Sequence, residues 1–111
     1  MVTYEVTCQV ESAHLASYEH YVREHHIPDL LATGCFEGAE LLRAAPGRYQ
    51  IRYLVKSQAD LDRYLADHAP GFRAEFLSRF PEGVQLSRET WLTIQRWEVG
   101  EDGMAPRRPR R

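Results

Sequence analysis

The chain has 111 residues, 43% hydrophobic and 27% charged, with a formal charge of -2, a size and balance that fit one domain and exclude two. Its apolar runs fall far short of the roughly 20 residues needed to span a bilayer, and no charged start plus apolar stretch marks a signal peptide, so a cytoplasmic location without membrane contact is expected. The near-neutral charge excludes a nucleic-acid binder held by a strongly positive surface; Arg107, Arg108, Arg110 and Arg111 confine any polyanion affinity to the last residues.

Residues 2–10 alternate, with Val2, Tyr4, Val6, Cys8 and Val10 on one face, the period of a strand covered on one side. Ser12 stands where an N-cap belongs, before the helical stripe Leu15, Tyr18, Val22 and His26. This helix is expected to end near Ile27, with Pro28 opening a short helical turn closed by Gly34. Residues 36–44 read as a strand joined through Ala45-Pro46-Gly47 to a second, residues 48–55, in which Tyr49, Ile51, Tyr53 and Val55 share a face. Ser57 with Asp60 is a capping signal for a stripe of Leu61, Tyr64, Leu65, His68 and Phe72, which Pro70-Gly71 should kink or split. Residues 87–99 are β-branched and aromatic, the character of a final strand, and the proline- and arginine-rich tail, 100–111, is expected to be disordered.

The order β-α-β-β-α-β is that of a ferredoxin-like α+β sandwich over residues 1–99, both helices covering one face of a four-stranded antiparallel sheet. Trp91, Thr93, Gln95 and Trp97 fall on one side of the last strand and Leu92 and Ile94 on the other. Both sides then carry large apolar groups, which implies a homodimer packed through sheet faces.

Several ordered pieces, His26-Ile27-Pro28-Asp29, Thr33-Gly34-Cys35-Phe36, Tyr53, Tyr64-Leu65, His68-Ala69-Pro70, Arg73, Arg79-Phe80 and Ser87-Arg88-Glu89, resemble the DUF4286 family within the dimeric α+β barrel superfamily. The resemblance covers about residues 2–95. It implies a ferredoxin-like protomer pairing sheet to sheet as a dimeric α+β barrel, and it implies no activity. Related barrel families include cofactor-independent monooxygenases, haem-degrading enzymes, isomerases and stress-related binding proteins, among which fold analogy does not choose.

The candidate residues follow from the stripes. His26 points about 20° from Leu15 on a helix and His25 roughly 80° from it, so His26 faces inward and His25 flanks it. Either suits an acid or base, or a cap on the turn. Adjacent helix positions do not converge on a metal and no third ligand stands at the right spacing, so no metal site is predicted. His68 lies on its own stripe, either as a core histidine or in one pocket with His26 and Tyr53 under the helices, with Arg88 at the mouth for an acidic group. Trp91 either stacks a planar ligand or anchors a dimer interface.

Tyr4, Tyr49 and Tyr53 share their face with Val6, Ile51 and Val55, so helices should cover them, and the glycine-aromatic signature of RNA binders is missing. The scattered glycines build no phosphate loop, so no cofactor is predicted. Cys8 and Cys35 read as reduced, buried thiols, Cys8 in the core, while the neighbours of Cys35, Gly34 and Phe36, leave room for it to be more exposed. The leading expectation is a dimeric α+β barrel protein binding a small organic ligand between helices and sheet. The alternatives are a cofactor-independent monooxygenase or isomerase with a histidine base, and a pure assembly module.

Overall fold

The computed structural model describes residues 1–100 and the backbone of residues 106–107. The chain order is β1 (Val2–Val10), a 3-10 turn (Ser12–His14), α1 (Leu15–Tyr21), a π-helical turn (Val22–His26), α2 (Ile27–Leu31), β2 (Gly38–Ala45), β3 (Arg48–Val55), α3 (Gln58–Asp67), α4 (Ala69–Arg79) and β4 (Val84–Leu92), followed by the two-residue strands β5 (Glu98–Val99) and β6 (Pro106–Arg107). The main sheet has the order β2-β3-β1-β4, antiparallel throughout, the ferredoxin-like arrangement the element order predicts. The expected barrel is not formed: the sheet is open, with β2 and β4 as edges. Four strands are too few to close on themselves, since even small barrels use about eight.

Alternation in β1 and β3 sets the layers. Val2, Tyr4, Cys8, Val10, Tyr49, Ile51, Tyr53 and Val55 are buried under the helices. The opposite face is polar, with an ion pair of 2.9 Å between Arg52 and Glu5 and a hydrogen bond from the Gln50 amide to Thr7. Val10 N–H donates to Gly47 O in the β2–β3 turn at 2.7 Å, and Gly47 has φ +84°, with Val10 O 2.5 Å from where a Cβ would sit. Only glycine meets both demands.

The first helix does not stop at Ile27. No side chain caps its start, Ser12 lying inside the 3-10 turn, and it runs on through the π turn, where Ile27 N–H donates to Val22 O. Pro28 at the start of α2 lacks an N–H and its ring would clash with the carbonyl four residues back. The wider turn relieves that clash. Gly34, at φ 78°, closes the segment as the sequence indicates.

Ser57 caps α3, its Oγ accepting from Asp60 N–H at 3.2 Å. The second helical stripe splits at His68 (φ -120°, ψ -40°), with Pro70 in the first turn of α4, where a missing donor costs nothing. Strand β2 starts at Gly38, later than the pattern indicates.

The final strand is also displaced. It spans Val84–Leu92 rather than 87–99 because Leu92 pairs with Val2, the first residue of β1. After Thr93 N–H donates to Met1 O β1 has no further residue to pair with, and Glu98–Val99 pair instead with Pro106–Arg107 in a separate two-stranded sheet. Trp91, Leu92 and Ile94 are 53%, 72% and 95% exposed. Among the described residues no helix is long and apolar enough to cross a membrane. The expected disorder of residues 100–111 lies largely outside the described residues.

Candidate functional site

A cavity opens between the helices and the inner face of the sheet, lined by residues of β1, α1, the π turn, α2, β3, α3, α4 and β4. About 450 Å³ is free of atoms, part of it open solvent at the mouth, and the centre of a water-sized sphere has only about 30 Å³ in which to move. The site is therefore a narrow slot, with room for one or two waters or a thin, flat group.

The π turn aims His26 into it. Spacings of four residues drift by about 40° per step on a straight α-helix, so Val22, His26 and Leu30 would fan apart; with the wider turn all three line the slot. The imidazole lies among aromatic rings, 5.8 Å from Tyr21, 6.2 Å from Phe72 and 5.8 Å from Phe76. Its Nδ1 is buried with no hydrogen-bond partner. Burial among these rings pushes its pKa down to about 4, Asp29 opposing the shift and Arg88 adding to it. At neutral pH it is uncharged.

Tyr53, at the centre of β3, is wholly buried, and its hydroxyl is the second buried polar atom without a partner among the described residues. Its ring stands 6.1 Å from Tyr4 and 5.0 Å from Phe36. Burial raises the pKa of the phenol, with small additions from Tyr64, Cys8 and Tyr4. It stays protonated and can donate. An unpaired buried polar group costs roughly 1–3 kcal/mol, and both atoms belong to residues that line this one cavity.

Four other polar side chains of the slot pair with one another. Tyr18 donates to Cys8 Sγ at 2.9 Å, and burial raises the Cys8 pKa, which leaves a poor nucleophile. Arg73 Nη2 donates to the Tyr4 hydroxyl at 3.2 Å. Arg88 lies opposite Val6 on β4, at the exposed rim of the slot.

His26, Tyr53 and Arg88 thus line one cavity, and three other candidates do not. His68 sits at the α3–α4 junction with its ring 6.4 Å from Tyr64 and does not line the slot, because the break that Pro70 imposes turns it out of the stripe. His25 is exposed, 6.0 Å from His20. Trp91 pairs with Thr3 and so lies on the opposite face of the sheet. Cys35, like Cys8, is buried and free, the reduced buried thiol that the sequence indicates. Sequence reasoning missed the roles of Arg73 and the π turn. The run of four-residue spacings up to Pro28 is the signal for the turn, and Arg73 gives none.

A family model described as a domain of unknown function, DUF4286, matches residues 1–94. The chain belongs to the DUF4286 family. No curated protein matches this chain. Solved structures similar to this DUF4286 chain include two called a "putative antibiotic biosynthesis monooxygenase". The one from Deinococcus radiodurans has a TM-score of 0.73 and 14% identity over 90% of this chain and 99% of the other. The one from Nitrosomonas europaea has a TM-score of 0.61 and 13% identity over 85% and 99%. The protein Rv0793 of Mycobacterium tuberculosis matches with a TM-score of 0.59 and 13% identity over 86% and 98%. At these identities the likeness is one of fold alone.

Proposed function

We propose that this DUF4286 protein takes a small organic molecule into the slot and moves a proton there, with His26 as the acceptor and Tyr53 as the donor to the oxygen that gains charge. The observation that carries the reading is that two residues lining one cavity, His26 and Tyr53, each hold a buried polar atom without a partner. An uncharged imidazole accepts a proton, a protonated phenol donates a hydrogen bond, and the positive field of Arg88 favours the anion formed between them. The pair suits a substrate that forms an enolate or phenolate. Two of the structures similar in fold carry the word monooxygenase in their names, which supports oxygenation over simple isomerisation.

In that reaction the anion formed at His26 reduces dioxygen, the co-substrate and sole oxidant. The resulting hydroperoxide loses water, so a methylene group and one dioxygen give a carbonyl group and one water. The carbon loses four electrons and dioxygen takes up four. The test is dioxygen uptake with a panel of electron-rich phenols and enolisable aromatic ketones. Uptake should fall about 100-fold or more in His26→Gln, the usual worth of a positioned acid or base. Equal rates in the variant, or no uptake with any compound, would overturn the assignment.

A homodimer is part of the same proposal. The free edge of β4 and the exposed Trp91, Leu92 and Ile94 at its end support a second copy packed there, since such an edge seldom stays uncovered.

A further inference from the structure

We propose that Arg73 and Arg88 form an anion-recognition pair at the mouth of the slot, and that its ligand is a flat, slim organic acid with a carboxylate at the arginines and an apolar body directed at His26 and Tyr53. This rests on the reading of the slot as a small-molecule site and names the chemical class that the site takes.

The first argument is charge. The chain carries 16 acidic residues against 14 Lys and Arg, yet the fifteen residues that line the slot include two arginines and no Asp or Glu. The mouth is a cationic spot on an acidic protein.

The second argument is what these arginines lack. Of the other described arginines only Arg48, at the β2–β3 turn, also lacks a partner: Arg23 and Arg43 pair with Glu19, Arg52 with Glu5, Arg63 with Asp60 and Arg96 with Glu98, and Arg79 lies over the ring of Tyr21 at 5.0 Å. Among the described residues neither Arg73 nor Arg88 has a carboxylate partner. Two guanidinium groups at one opening repel each other unless an anion lies between them.

The third argument is position. Arg73 comes from α4 in the helical layer, where the Tyr4 hydroxyl holds its Nη2 at 3.2 Å. Arg88 comes from an inward position of β4, opposite Val6 in the sheet. They therefore approach from the two walls of the opening, and each presents a planar fork that matches a carboxylate. Below them the walls are rings and aliphatic chains, Phe72, Phe76 and Leu86 among them, and the gap is too narrow for a bulky body. A neutral ligand would fill the slot and leave both arginines without a counter-ion.

The experiment titrates the full-length protein with benzoate and with benzamide, its neutral counterpart of the same shape, following chemical shifts of the backbone and of the His26 ring. Benzoate should bind at least about tenfold more tightly than benzamide, the worth of one charge-assisted contact. That preference should disappear in the double variant Arg73→Gln plus Arg88→Gln, whose sites are both exposed and whose fold is checked by its melting curve. Equal binding of the two compounds at His26 would overturn the acid class and leave the slot standing as a small-molecule site. Benzoate affinity unchanged in the double variant would overturn the arginine pair. Failure of both compounds to move any slot resonance would overturn the acid class, and the slot itself would fall with it if the phenol and ketone panel also gave no uptake.

Discussion

Tyr53 is the residue at which stability and function should separate. Its hydroxyl is buried without a partner, so Tyr53→Phe removes an unsatisfied donor without opening a cavity. The variant should be more stable by about 1 kcal/mol, a rise in melting temperature of about 4–8 °C for a domain of this size. Turnover should fall at the same time. A variant that melts lower than the parent would mean that the hydroxyl is already satisfied. His26 sets a pH dependence. Its folded pKa of about 4 lies below the ordinary 6.5, so between these values the unfolded chain binds a proton that the folded one refuses. Stability is fully present above pH 6.5 and declines as pH falls towards 4, by up to roughly 3 kcal/mol. Melting curves of His26→Gln should lack this component, and an identical decline in the variant would assign it to other groups. The inward direction of His26 was legible from its stripe. Its unpaired Nδ1 was not, because pairing depends on which rings the fold brings around it.

At the scale of elements, the sequence was most informative where local chemistry decides. Ser57 and Asp60 marked the start of α3, and Ser57→Ala should cost about 1 kcal/mol in denaturant unfolding; no change would mean that the observed cap contributes little. Alternation placed β1 and β3 and their buried faces, because one covered face leaves one allowed register. Local chemistry misled where a partner decides. The apolar run from residue 87 to 99 has strand character throughout, but a strand lasts only as long as its ladder, and β1 begins at Val2, opposite Leu92. Pro28 read as a stop because a straight α-helix cannot pass it. The π turn let the helix continue, and it is that irregularity which points His26 into the slot.

For the molecule as a whole, element order was enough to give the sheet and the helical layer, whereas the barrel inferred from resemblance does not survive the open sheet. The proposed dimer should appear in sedimentation velocity at micromolar concentration, and Ile94→Asp with Trp97→Asp should shift it towards monomer. A parent that sediments as a monomer would leave the exposed apolar end of β4 to another role. The account as a whole turns on an uncharged imidazole with an unpaired Nδ1 in the wall of the slot, which is proposed to take a ligand. The most direct test is the pH titration of the His26 ring by nitrogen-15 NMR, alone and with benzoate. A midpoint near 4 in the free protein, with ring shifts that move when benzoate is added, is the predicted result; a midpoint near the ordinary 6.5 and a ring indifferent to benzoate would contradict it.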